Sequence, residues 1–254
     1  MILCFTGTGN SRFVAKGLAV KLGDEVVSLN AVLKQHLPAV FESEHPFVVV
    51  APIYAWRFPR VIEELLERAE FRGSKELYCV GTMAAQSGDA DKYCVRAIAG
   101  KGMVFMGYRG VEMPSNFLPG GHMPSQELVA ATLTKALPAI DEIAGIIRSG
   151  EKLTKTDKTR FSRILSGFVN EGFNRYMVSR QEFVVEDSCT GCGLCEHLCP
   201  MNNISMKDGR PVFSNKCICC YACIQHCPKE AINIGTQTRD RGRYTCPEYP
   251  NTRK

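Results

Sequence analysis

Apolar and polar positions along the first 150 residues switch repeatedly between two periods. Residues 1–5 (MILCF) are an apolar run with no helical spacing. Residues 10–22 then place apolar groups at 13, 14, 18 and 22, one stripe of a helix closed by Gly23. Residues 25–29 (EVVSL) read as a strand, and 46–51 (PFVVVA) as a parallel strand buried on both faces. Pro59 opens the helical pattern PRVIEELLERAE as a first-turn proline. A fourth strand is predicted at 77–82, a helix at 88–100 and a fifth strand at 102–107. A long helix is predicted at 125–149, kinked or broken near Pro138. This alternation predicts an α/β domain over 1–150, a parallel sheet covered by helices on both faces with right-handed crossovers.

The pattern changes after residue 150. KLTKTDKTR is polar and basic and reads as a linker. Phe161, Ile164, Leu165, Phe168, Phe173, Tyr176 and Met177 then recur at helical spacing. Residues 151–184 are therefore expected to be a linker with an amphipathic helix packed on one of the two domains. Docking a partner or a membrane surface is the lesser alternative. Residues 185–235 form a second unit, and 236–254 a basic, proline-containing tail expected to be loosely ordered.

Composition narrows the class. The chain has 254 residues, 45% hydrophobic and 22% charged, which excludes wholesale disorder. No run approaches the roughly 18 to 20 apolar residues of a membrane span. MILCFTGTGN has neither a basic n-region nor a small-residue cleavage site, so a soluble cytoplasmic protein is expected. The anomaly is cysteine: 13 in all, ten of them from Cys189 onward. Adding 28 to Cys189, Cys192, Cys195, Cys199, Pro200 and Ile204 gives Cys217, Cys220, Cys223, Cys227, Pro228 and Ile232. Each half of this repeat reads C-x2-C-x2-C-x3-C-P. Zinc ribbons instead use two C-x2-C pairs with a long spacer, and fit poorly.

The repeat resembles the bacterial ferredoxins that hold two 4Fe–4S clusters. The resemblance implies that three thiolates of each run serve one cubane and the fourth serves the other. One cluster would take Cys189, Cys192, Cys195 and Cys227, and the other Cys217, Cys220, Cys223 and Cys199. Gly191 and Gly193 would let backbone N–H groups approach cluster sulfur. Cys219 breaks the pattern and reads as a spare thiol facing away. His197 and His226 read as spacers, and Cys4, Cys79, Cys94 and Cys246 as isolated thiols. The formal charge of +5 lies wholly in residues 151–254. Eight thiolates and two cubane cores would reduce it to about +1, and an FMN phosphate to about −1, so the basicity gives no support to nucleic-acid binding.

Thr6-Gly7-Thr8-Gly9-Asn10-Ser11 follows the first strand and opens a helix. It lacks the third glycine of the dinucleotide fingerprint and the lysine of a P-loop. A hydroxyl- and glycine-rich turn at a helix N-terminus suits one terminal phosphate. The turn resembles the phosphate loop of flavodoxins, which bind FMN. Two further loops fit that resemblance: Pro52-Ile53-Tyr54-Ala55-Trp56, with aromatics for the isoalloxazine face, and Thr82-Met83-Ala84-Ala85-Gln86-Ser87-Gly88 for the pyrimidine side. The departures are Gly7, Pro52 and Cys219. The resemblance implies a flavodoxin-like sheet of order 2-1-3-4-5, with the ligand at its switch point, followed by a small α+β dicluster ferredoxin domain. Such fusions occur largely in anaerobic bacteria and archaea. The implied function is electron transfer between two 4Fe–4S clusters and FMN and on to redox partner proteins. The alternative is an FMN-dependent reductase of a small substrate, with His122 the nearest candidate proton donor. A redox or iron sensor is a third, weaker reading.

Overall fold

The computed structural model describes residues 1–178 and 181–250. Its first 150 residues run β1 (Ile2–Cys4), α1 (Asn10–Leu22), β2 (Val26–Ser28), α2 (Leu29–Lys34), β3 (Val40–Ser43), β4 (Phe47–Pro52), α3 (Arg60–Arg68), β5 (Glu70–Gly73), β6 (Glu76–Met83), α4 (Ala90–Ala97), β7 (Val104–Glu112) and α5 (Gln126–Arg148). Five strands form an all-parallel sheet in the order β2-β1-β4-β6-β7. β4 is buried at all six positions, as its unbroken apolar run requires. Side-chain alternation divides the core in two. Leu3, Phe5, Val49, Ala51, Leu77 and Cys79 face α2, α3 and α4. Ile2, Cys4, Val48, Val50, Tyr78 and Val80 face α1 and α5. Each fully buried Leu, Ile, Val or Phe contributes roughly 1.5–3 kcal/mol.

Three local departures from the sequence pattern have physical causes. β3 and β5 pair with each other away from the main sheet, and each is too short and too polar to signal a strand. α2 is a six-residue helix capped by the Ser28 side chain, below the length at which periodicity shows. α5 runs unbroken through Pro138. Pro138 is exposed, so the Thr134 carbonyl it leaves without an N–H faces water, while Ala136, Ile140, Ile143 and Ala144 hold the buried face.

The second unit contains two antiparallel pairs, β8 (Phe183–Val185) with β11 (Ile232–Ile234) and β9 (Ile204–Lys207) with β10 (Arg210–Phe213). Short helices at Leu194–Leu198 and Ala222–Gln225 repeat at the same 28-residue offset as the cysteines. This unit is joined to the sheet rather than tethered to it. Cys220 and Ala222 lie in the α2–α3–α4 core. The Lys34 ammonium donates to the carbonyls of Glu196 and Cys199 at 2.8 and 3.1 Å.

The tail expected to be loosely ordered is packed, and so is the linker. In the linker, Leu153 is buried and bridges to Gly107. The Asp157 carboxylate accepts from the Ser87 N–H at 2.9 Å and from its hydroxyl at 2.8 and 2.9 Å. In the tail, Thr238, Tyr244 and Cys246 are buried, and Tyr249 packs edge-on to Phe13 at 5.1 Å. A polar, basic composition hid these anchors because each is a single residue with a distant partner. No helix among the described residues is long and apolar enough to cross a membrane.

Candidate cofactor site

A cavity of about 440 Å³ opens at the carboxyl end of the sheet, within the ~300–1,000 Å³ of small-molecule sites. The loop after β4 forms one wall. Tyr54 and Arg57 close a tight turn, with the Tyr54 N–H donating to the Arg57 carbonyl at 2.8 Å. The central residues Ala55 and Trp56 both have left-handed backbones, φ 47° and 65°. Hairpin turns of this kind normally take Asn-Gly, so the Ala-Trp pair is strained by about 1 kcal/mol or more per residue. The turn is held from outside. Asn170 donates to the carbonyls of Tyr54 and Ala55 at 3.2 and 2.8 Å, and the Ser166 hydroxyl to that of Trp56 at 2.9 Å.

The opposite wall comes from the cysteine repeat. Cys219 and Tyr221 line the same cavity, and both have left-handed φ of 56°. Four strained non-glycine residues thus surround one space, a pattern that marks functional sites. The hydroxyls of Tyr54 and Tyr221 are buried and have no hydrogen-bond partner among the described residues. Burial first, and then the Cys220, Cys219 and Cys217 sulfurs, push the Tyr54 hydroxyl far above the usual tyrosine range.

Pro52, Ile53, Tyr54, Ala55, Trp56, Thr82, Met83, Ala84, Ala85 and Gln86 line the cavity as the sequence pattern expected, and so does Asn10. Ser87 and Gly88 do not. They turn onto the 151–161 segment, where the Gly88 N–H donates to Thr159 at 3.1 Å. Thr6, Gly7, Thr8, Gly9 and Ser11 form the neighbouring turn. The Gly9 N–H donates to the Thr6 hydroxyl at 3.1 Å, and Ser11 hydrogen-bonds Thr82 at 2.7 Å. The N–H groups of Gly7, Thr8, Asn10 and Ser11 find no acceptor among the described residues. A Cβ at Gly7 would stand 2.2 Å from the Cys220 carbonyl oxygen, and one at Gly9 about 3.0 Å from the Cys246 Cβ.

Sequence reasoning missed Pro114, Ser115, Asn116 and Phe117, the loop after β7, and Phe173 of the 162–178 helix. The polar turn directly following the fifth strand was a usable signal for the first four. Phe173 carried none, because its stripe pointed to packing. His122 is exposed and does not line the cavity.

Two small cavities lie within the second unit. Cys189, Cys192, Cys195 and Cys227 surround one. Cys199, Cys217, Cys220 and Cys223 surround the other. Cys219 belongs to neither. Three sulfurs receive backbone N–H groups: Cys199 from Asn203 at 3.3 Å, Cys227 from Ala231 at 3.4 Å and Cys217 from Cys219 at 3.3 Å. A hydrogen bond towards Cys217, and then burial, push the Cys219 thiol up, and the same hydrogen bond lowers Cys217. Burial pushes the Cys220 thiol up to about 12. Among the described residues no three His, Cys, Asp or Glu close on a single metal ion.

Residues 188–232 match the family of 4Fe-4S dicluster domains. The match supports iron–sulfur cluster binding and an electron-transfer role for this segment. No curated protein matches the chain. Among solved structures, that of the Trp repressor binding protein from Bacillus subtilis is similar over 56% of this chain and 96% of its own, at 16% identity and a TM-score of 0.29. At that score the likeness has no bearing on fold or function.

Proposed function

We propose that the protein relays electrons through two 4Fe–4S clusters and a bound FMN to a partner redox protein. The observation that carries this reading is the shared wall. Cys219 and Tyr221, on either side of Cys220, line the cavity that Tyr54 and Trp56 also line. The first cluster would be held by Cys189, Cys192, Cys195 and Cys227, the second by Cys199, Cys217, Cys220 and Cys223. Four sulfurs spread round a cavity suit a cubane better than one zinc ion, whose ligands converge. FMN would lie along the 52–56 and 82–86 loops, with its phosphate on the N–H groups of residues 7–11 at the start of α1. Of these, the N–H groups of Gly7, Thr8, Asn10 and Ser11 have no other acceptor among the described residues, and the bare Gly7 and Gly9 keep the turn close-packed, so the residues present fit the group. Counting only its own strands along the chain, the main sheet runs second-first-third-fourth-fifth, which supports a flavodoxin-like domain.

When bound, FMN supplies both one- and two-electron steps, and the clusters supply single electrons. The chain sets the order. The cluster of Cys199, Cys217, Cys220 and Cys223 would adjoin the cavity, and that of Cys189, Cys192 and Cys195, with Cys192 exposed, would receive electrons from outside. The reductase alternative gains nothing from His122, which stands away from the cavity.

Anaerobic purification and cofactor analysis test the reading. About eight irons, eight sulfides and one FMN per chain are expected, and stoichiometric zinc would overturn it. Thr8→Glu places a carboxylate beside the phosphate position and is expected to remove FMN while leaving iron in place. Unchanged flavin would reduce the turn to a helix start.

A further inference from the structure

The 162–178 helix is inverted with respect to water. Its fully buried residues are polar, Ser166 at 0% and Asn170 at 2% exposed, while Phe173 and Val178 are only partly buried, Phe173 at the cavity wall. Its outward residues are apolar: Phe168 is 85% exposed, and Phe161, Ile164, Tyr176 and Met177 are exposed with it. The helix cannot roll over to hide them. The Ser166 and Asn170 side chains bond three consecutive carbonyls of the 54–57 turn, and Ser166 also accepts the Asp89 N–H at 2.8 Å. Rolling would strand those groups without partners, at a cost typical of buried unsatisfied polar atoms.

The charges around this apolar crest are mostly positive. Lys158, Arg160, Arg163 and Arg175 are exposed. The Arg160 guanidinium stands 5.0 Å from the Phe161 ring centroid and that of Arg175 5.7 Å from Tyr176, so cations border the aromatic residues at both ends. The acids of the segment are engaged with the protein: Glu171 with Arg60 at 2.6 Å, and Asp157 with Ser87. An apolar ridge bordered by four exposed cations, with the exposed Glu171 carboxylate paired to Arg60, matches the headgroup and acyl boundary of an anionic bilayer.

We propose that this face seats the protein on an anionic lipid surface, with the helix lying in the membrane plane. The inference is independent of the cofactor reading. Holoprotein is sedimented with vesicles of phosphatidylcholine alone or mixed with phosphatidylglycerol. Binding is expected to rise with the phosphatidylglycerol fraction and to be lost at high salt. Phe168→Asp and Arg163→Glu are each expected to lower partitioning at least about tenfold, with iron content and visible absorption unchanged. Both side chains are exposed, and retained iron reports a folded chain. Absence of binding to phosphatidylglycerol-rich vesicles overturns the proposal, as does wild-type binding by Phe168→Asp. Self-association that Phe168→Asp abolishes, without vesicle binding, would overturn it in favour of a second copy of the chain. Capture of an acidic protein without vesicle binding would overturn it in favour of that partner.

Discussion

Gly7 shows how much one missing Cβ can decide. Its Cα faces the Cys220 carbonyl so closely that any side chain would overlap it. Gly7→Ala is expected to lower stability by about 1–3 kcal/mol, the usual cost of overpacking. Denaturant unfolding would measure the loss, and an altered electron paramagnetic resonance signal from the adjoining cluster should accompany it. An Ala variant as stable as the parent would show that the two loops do not touch. The cysteines allow a second test. Cys199 lies in one run but shares its cavity with Cys217, Cys220 and Cys223. Cys199→Ser is therefore expected to damage the cluster of the other run, whereas Cys219→Ser, which keeps the N–H donor to Cys217, should leave both. Spectroscopic loss of the 189–195 cluster in Cys199→Ser would contradict that crossing. That crossing is what the resemblance to two-cluster ferredoxins implies, and the sulfurs of Cys199, Cys217, Cys220 and Cys223 do surround one cavity. That Cys219 lies in a cavity wall was not legible in the sequence, since it depends on a β-sheet loop more than 160 residues earlier in the chain.

Among the elements, the long buried strands and amphipathic helices were the legible part, because core-facing residues repeat within one element. The 162–178 helix was legible as a helix but not in its orientation. Its apolar stripe reads as a core face, yet most of that stripe is exposed and the fully buried positions are Ser166 and Asn170, two ordinary surface residue types. Its role in the site follows from their bonds. Asn170→Ala removes its two hydrogen bonds to the strained turn, leaving the Ser166 bond, and leaves the Tyr54 and Ala55 carbonyls short of partners. A loss of about 1–3 kcal/mol is expected, with weaker flavin retention than in the parent. Thermal unfolding and fluorescence of released flavin would measure the two effects. Flavin affinity equal to the parent's would mean that the turn keeps its shape unaided.

For the whole molecule, the two units share one core and one cavity, so they should not behave as beads on a string. Chelating the iron is expected to loosen the wall formed by Cys219 and Tyr221 and to release flavin in proportion to the iron lost. An apo-cluster protein with full flavin content would separate the two sites. In the loaded protein, reduction of the clusters should reduce the flavin at a rate independent of protein concentration, since the centres share a chain. Rapid mixing at several concentrations is the check. The C-terminal segment adds a consequence in time. The Cys246 N–H donates to the Thr8 carbonyl at 2.8 Å, and the Tyr244 hydroxyl to Asn10 at 2.7 Å. Those partners leave the ribosome more than 230 residues apart, roughly 10 to 50 s at ordinary rates of synthesis. Contacts of such long sequence separation form late in folding. The turn made first therefore stays uncovered until residues 244–246 have been made.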